Sequence, residues 1–245
     1  MIFAGGGTGG HVMPGVATAE ALGRMVPGSR SLFLSTERDA QMPYSDSVDR
    51  FPTAWVPAAR CGGLSDLLRF AAVGTAALHR SAHIYRRFRP HVVVGLGGYS
   101  SAVPVLAARL MRVPVMLFES NAKAGRAVRL LSRHSQCVQT QWAGLDDRLD
   151  GSRVMTGGIP VRERMFRGSR PDAQTRFTLD PDRFTVLVMG GSQGALSLNR
   201  LVATALRNLP GRAEDMQVLH LTGTDHLSEA QKYPLPDELI YRPVG

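Results

Sequence analysis

Short apolar runs alternate along the chain with longer stretches whose apolar positions recur at helical spacing, the pattern of strand and helix units laid on a parallel sheet. Strands are predicted at 2–4, 31–35, 91–94, 113–118, 137–140, 184–189 and 216–221, and helices over 14–25, 64–88, 102–111, 125–132 and 196–206. The pattern lapses over 162–183, which is polar and rich in Arg and Pro, and a new strand–glycine–helix unit starts after it. Such a shift reads as a linker between two α/β domains, 1–160 and 161–245, the second short for a complete doubly wound domain.

Glycines cluster where strands end. The run Gly5-Gly6-Gly7-Thr8-Gly9-Gly10-His11 lies between a predicted strand and a helix, and Leu96-Gly97-Gly98-Tyr99 and Gly190-Gly191-Ser192-Gln193-Gly194-Ala195 repeat the arrangement. Glycine allows positive φ and leaves no Cβ between backbone N–H groups and an anion, while a helix N-terminus adds positive potential. Three such loops divided between two domains predict phosphate-binding groups on both walls of a cleft. Gly5, Gly7 and Gly10 also satisfy GxGxxG, and Glu37 stands where a ribose-binding carboxylate would, so a nicotinamide-dependent Rossmann oxidoreductase is a rival reading. His11, at a helix start, is a candidate general base or a polar N-terminal residue; Glu119 and Asn121, at a strand end, are ligand contacts or turn caps.

The charge narrows the partners. Lys+Arg 29 against Asp+Glu 20 gives a net +9, which favours nucleic acid, phosphorylated small molecules or an acidic membrane surface. All the cations except Lys123 and Lys232 are arginine. Cys61 and Cys137 lie far apart without a CxxC or a nearby histidine pair, so neither a zinc site nor a disulfide framework is indicated and a reducing compartment is expected. No secretory signal is visible, and the longest apolar stretch, 92–111, is interrupted by Gly95, Gly97, Gly98, Pro104 and Arg109, unlike a spanning helix.

Taken in order, Gly5 to His11 with Pro14-Gly15, Gly97-Gly98-Tyr99, Glu119 with Asn121 and Gly125, Pro160-Val161-Arg162 and the run Gly190 to Ala195 resemble the MurG family of bacterial N-acetylglucosaminyltransferases along nearly the whole chain. The resemblance implies a GT-B fold of two Rossmann-like domains facing a cleft, the acceptor on the first and UDP-N-acetylglucosamine mainly on the second. It implies inverting transfer of N-acetylglucosamine to the muramyl 4-hydroxyl of undecaprenyl-diphosphate-linked lipid I, making lipid II, with no cofactor, no protein-bound metal and no nucleic acid. The expected setting is peripheral, on the anionic cytoplasmic face of the bacterial inner membrane.

Carried onto this sequence, the resemblance makes His11 and Glu119 catalytic candidates. Thr8, Gly9, Gly10, Asn121, Arg162, Gly191, Ser192, Gln193 and Gly194 are donor-binding, and Gly97, Gly98 and Tyr99 acceptor-binding. Phe118 and Ser120 depart from the family's His-Glu-Gln-Asn, which bears on acceptor specificity. The family's loops for uracil and sugar lie beyond residue 245, so the second domain is expected to be incomplete. A non-catalytic acceptor-binding or membrane-recruiting half of a split glycosyltransferase is therefore a further alternative. For membrane binding, the candidate is the helical stretch 64–89, with Leu64, Leu67, Leu68, Ala71, Ala72, Thr75 and Leu78 on an apolar stripe that Phe70, Val73 and Ala77 extend, and Arg69, Arg80, Arg86, Arg87 and Arg89 nearby.

Overall fold

The computed structural model describes residues 1–37, 48–58, 67–145, 149, 153–191, 194–209, 211 and 213–245. It divides into two compact units, Met1–Glu163 and Arg164–Gly245, each described by itself.

Among the described residues, the first unit holds a wholly parallel sheet of seven strands. Its strands are β1 (Ile2–Ala4), β2 (Leu32–Ser35), β3 (Thr53–Trp55), β4 (Val93–Gly95), β5 (Val115–Glu119), β6 (Cys137–Thr140) and β7 (Arg153–Thr156), in the order β3-β2-β1-β4-β5-β6-β7. Helices α1 (Gly9–Met25), α2 (Leu67–Phe88), α3 (Ala102–Leu110) and α4 (Arg126–Leu131) follow β1, β3, β4 and β5. Alternate residues of a strand face opposite sides, so each strand feeds two cores. Phe3, Phe33, Val94 and Leu96 pack with Val12, Val16 and Ala19 of α1, whereas Ile2, Ala4, Leu34, Val93 and Leu117 pack with Ala77 and Tyr85 of α2 and Val105 of α3. The Phe3 and Phe33 rings stack 5.0 Å apart.

The second unit comprises α5 (Arg170–Phe177), β8 (Phe184–Met189), α6 (Leu196–Arg207), β9 (Met216–Leu221), α7 (Leu227–Ala230) and β10 (Ile240–Val244), with a parallel sheet in the order β10-β9-β8. The two strand orders are the start and the whole of a doubly wound α/β arrangement.

Several boundaries differ from the sequence expectation. α1 begins at Gly9 rather than 14, because Thr8 takes the extended conformation of a helix cap despite the glycines behind it. α5 lies inside the stretch read as linker; Ser169 accepts a hydrogen bond from the Asp172 N–H at 3.2 Å and Pro171 sits in the first turn, start signals that outweigh the missing apolar stripe. β3 and β7 were not anticipated: one is three residues long and the other is an exposed edge strand, so neither shows alternation. β10 lies outside the ranges predicted for strands; it carries Pro243, which an edge strand tolerates.

Candidate functional site

The sheet reverses its order of growth between β1 and β4. α1 leaves β1 toward one face and α3 leaves β4 toward the other, which opens a crevice at the carboxyl ends of the two strands. The first two glycine loops meet there. Leu96 N–H donates to the Ala4 carbonyl at 2.8 Å. Gly5 has φ +131°, and a Cβ on it would stand 2.9 Å from the Gly97 carbonyl oxygen; Gly98 has φ +74°, and its Cβ would stand 3.2 Å from the Gly6 carbonyl oxygen. Both positions are restricted to glycine by conformation and by the closeness of the opposite backbone.

His11 rises from the first turn of α1 into this crevice. A Cβ on Gly97 would stand 3.0 Å from its Cδ2, so the glycine makes room for the ring. Thr8 occupies the cap position of α1, but its hydroxyl makes no cap bond: Oγ1 lies 2.8 Å from His11 Nδ1. When Nδ1–H donates to that oxygen, Nε2 is left with a free lone pair. Burial lowers the His11 pKa below its ordinary 6.5, with the Glu119 carboxylate acting in the opposite direction, so the ring is neutral at pH 7.

Glu119, at the end of β5 and 3% exposed, fastens the loop that follows it. Its Oε1 accepts from the Asn121 backbone N–H and from Asn121 Nδ2, both at 2.8 Å, and its Oε2 accepts from Gly125 N–H at 2.7 Å. His11, Gly97, Gly98, Tyr99, Glu119 and Asn121 share the lining of a cavity of about 270 Å³. Residues separated by more than a hundred positions are thus gathered at one strand-end crevice.

The other candidates fall elsewhere. Gly9 and Gly10 form the first turn of α1, while Tyr99 of the cavity lining is 38% exposed and opens a short 3-10 turn. Phe118 is buried in the core against α1 and is a packing residue, whereas Ser120 supplies a carbonyl that accepts from Trp142 Nε1 at 3.2 Å. Arg162 is half-buried ahead of the 3-10 turn Glu163–Phe166. Gly191 and Gly194 have φ +100° and +72° in the third glycine loop; Ser192 and Gln193 lie outside the described residues, as do Cys61 and Leu64. Glu37 lines a different cavity of about 600 Å³ with Trp55, Arg80 and Tyr99, a grouping no motif signalled because β3 itself was not legible. Among the described residues no cluster of three or more His, Cys, Asp or Glu could hold a metal ion, and no helix is long and apolar enough to cross a membrane.

Residues 1–140 match the glycosyltransferase family 28 N-terminal domain, and residues 185–242 match the glycosyltransferase family 28 C-terminal domain. The chain belongs to glycosyltransferase family 28. It is 37% identical over 236 residues to the UDP-N-acetylglucosamine--N-acetylmuramyl-(pentapeptide) pyrophosphoryl-undecaprenol N-acetylglucosamine transferase of Anaeromyxobacter sp. (strain Fw109-5), covering 95% of this chain and 60% of that protein. The enzyme of the same name from Moorella thermoacetica is 35% identical, covering 91% and 60%. The chain therefore spans about 60% of the length of the curated relatives it matches. Among solved structures, Acinetobacter baumannii MurG aligns with a TM-score of 0.67 at 23% identity, covering 100% of this chain and 66% of that one. A UDP-GlcNAc 2-epimerase from Neisseria meningitidis, bound to UDP-GlcNAc, aligns at 0.63 with 12% identity, covering 99% and 70%. The fold class is the α/β GT-B class of Rossmann-like units, with three strands described in the second.

Proposed function

We propose that this family 28 chain carries the acceptor side and part of the donor side of an inverting N-acetylglucosaminyltransferase that converts lipid I to lipid II. The observation that carries the reading is the strand-end crevice in which neutral His11, the interlocked glycine loops and the Glu119–Asn121 bracket come together. In this reading the muramyl 4-hydroxyl attacks the anomeric carbon of UDP-N-acetylglucosamine as the bond to UDP breaks and UDP leaves with the electron pair. His11 Nε2 takes the hydroxyl proton, and Thr8 holds the ring in the tautomer that leaves Nε2 free. In this reading Glu119, expected as a catalytic candidate, acts as a positioning residue, which is supported by both of its oxygens accepting N–H groups of its own loop.

Asn121 then contacts the transferred sugar, while Gly97, Gly98 and Tyr99 face the acceptor. Thr8, Gly9 and Gly10 approach the phosphates at the start of α1; Arg162, Gly191, Ser192, Gln193 and Gly194 hold the donor diphosphate, whose charge backbone N–H groups and a helix start offset. A GxGxxG with Glu37 is equally compatible with a dinucleotide, but family membership favours the nucleotide sugar.

The lipid-linked acceptor requires access to the membrane, and α2 is the proposed contact. Ala77 and Leu78, expected on the membrane-facing surface, instead pack in and against the core with Tyr85, and Ser81 is buried, leaving Ala71, Ala72, Thr75, Arg80, Arg86 and Arg87 exposed on other faces. Each cation near an anionic surface is worth about 1 kcal/mol, enough for several to bind reversibly at the cytoplasmic face. Titration of the purified chain with UDP-N-acetylglucosamine and NADH tests the central reading: uptake of the nucleotide sugar alone is expected, and uptake of NADH alone overturns it. Co-sedimentation with phosphatidylglycerol vesicles tests the second, with binding expected to fall at high salt and in Arg86→Glu/Arg87→Glu.

A further inference from the structure

The second unit contains a buried polar chain that the transfer reaction does not use. His220 on β9, Asn199 on α6 and Thr222 just past β9 are all 0% exposed. Asn199 Nδ2 donates to the Thr222 carbonyl at 2.9 Å, so its Oδ1 is the atom left facing the histidine, 3.0 Å from Nε2. A carbonyl-type oxygen only accepts, which places the ring proton on Nε2. Nδ1 is then an acceptor, and Tyr241 of β10 donates its hydroxyl to it at 2.8 Å. The chain runs in one sense, Tyr241 to His220 to Asn199 to Thr222, and it crosses from the edge strand β10 over β9 to the second turn of α6.

Its far end lies at the third glycine loop. A Cβ on Gly194 would collide with the Thr222 carbonyl oxygen and stand 3.1 Å from the Gly223 Cα, so this backbone packs directly on the residue that Asn199 grips. Asn199 N–H also donates to the Ala195 carbonyl at 2.9 Å, which ties the same residue to the loop from within the helix. Thr222 Oγ1 donates to the Val244 carbonyl at 3.0 Å, anchoring the junction to β10 a second time. A merely space-filling core would need none of these polar groups, and burying them is costly unless each is satisfied.

We propose that Tyr241, His220 and Asn199 form a positioning relay that fixes the Gly194–Ala195 end of the glycine loop and the start of α6 against the end of β9, and so sets affinity for a nucleoside diphosphate. The second half of this statement rests on the reading of that loop as the donor diphosphate site. Tyr241→Phe removes one hydroxyl and keeps the ring; Asn199→Asp keeps the shape and the bond to His220 but removes the donor to Thr222.

The experiment is amide hydrogen exchange on the 245-residue chain and both variants, paired with titration by UDP. Expected are faster exchange at Gly194, Ala195 and the first turn of α6, unchanged exchange at Val186 and Val218 in β8 and β9, and UDP binding weakened by about five- to thirty-fold, the worth of one or two hydrogen bonds. Exchange that rises equally in β8, β9 and α6, or that does not rise at the loop in either variant, overturns the relay. A wild-type chain that ignores UDP overturns the donor reading of the loop instead, and the exchange data then decide the relay by themselves.

Discussion

The strand–glycine–helix unit at β1 and the one at β8 share a chain pattern, but the sheets around them differ. β1 lies between β2 and β4 and is completely buried, so the loop after it faces a second glycine loop and the two enclose a cavity. Among the described residues β8 pairs with β9 alone, and its Phe184 and Leu187 are 72% and 54% exposed. Its glycine loop leans to one side, on Thr222. A glycine loop is therefore a bracket whose surroundings depend on which strand stands beside it: the first lies near the titratable side chains His11 and Glu119, the second against the Thr222 backbone.

The largest effect expected from this contrast is at His11. In an active preparation His11→Ala should lower kcat by about 10²–10⁴-fold, with little change in the KM for UDP-N-acetylglucosamine. A loss confined to donor affinity would move the chemistry away from the first loop. Next, Gly194→Ala should destabilise the second unit by more than about 3 kcal/mol, because its new methyl meets a carbonyl with no room to retreat. Gly7→Ala, at φ +95° with nothing within 4 Å, should cost only about 1–2 kcal/mol of conformational strain, and thermal unfolding of the two variants side by side measures the difference.

A smaller effect is the dependence of stability on pH. Burial lowers the pKa of His11 in one unit and His220 in the other, so the unfolded chain binds protons first as pH falls. Stability should be full above about pH 6.5, the unfolded value, and decline as pH falls toward the lower folded values. Urea midpoints at pH 7.5 and 5 check this, and His220→Gln should flatten part of the slope. The smallest effect is expected on β8: Leu187→Lys should shift stability by no more than about 0.5 kcal/mol, whereas a lysine at Ile2 should prevent folding of the first unit. A large loss from Leu187→Lys would mean that β8 is covered in solution.

The alternation of apolar runs and helical stripes was enough to place β1, β6, β8 and β9 and the bodies of α1, α3 and α6, because each of these segments keeps apolar residues at strand or helix spacing between turn residues. β3, β7 and β10 are harder to read because they are short, lack an unbroken apolar run or carry a proline, as Thr53–Trp55, Arg153–Thr156 and Pro243 show. At the site, the glycine motifs located the loops, but not that the first two interlock. That fact depends on β4 lying beside β1, a pairing across ninety residues that carries no local mark. Nor did sequence show that Thr8 gives its hydroxyl to His11 instead of to the helix end, or that Glu119 spends both oxygens on its own loop. The polar chain from Tyr241 to Thr222 was invisible, since each member stands in an otherwise ordinary strand or helix.

The place of β1 in the middle of its sheet also orders events in time. Ile2 pairs with Leu32 on one side and with Val93 on the other. At roughly 5–20 residues added per second, the second partner is synthesised about 5–20 s after the strand that awaits it. During that interval Ile2 and Phe3 lack the β4 side of their strand pairing, and the loop-closure entropy of joining residue 2 to residue 93 has still to be met. The sheet thus closes late around β1, which makes the nascent chain, more than the finished molecule, the stage at which this part of the fold is open to proteolysis and to non-native strand pairing.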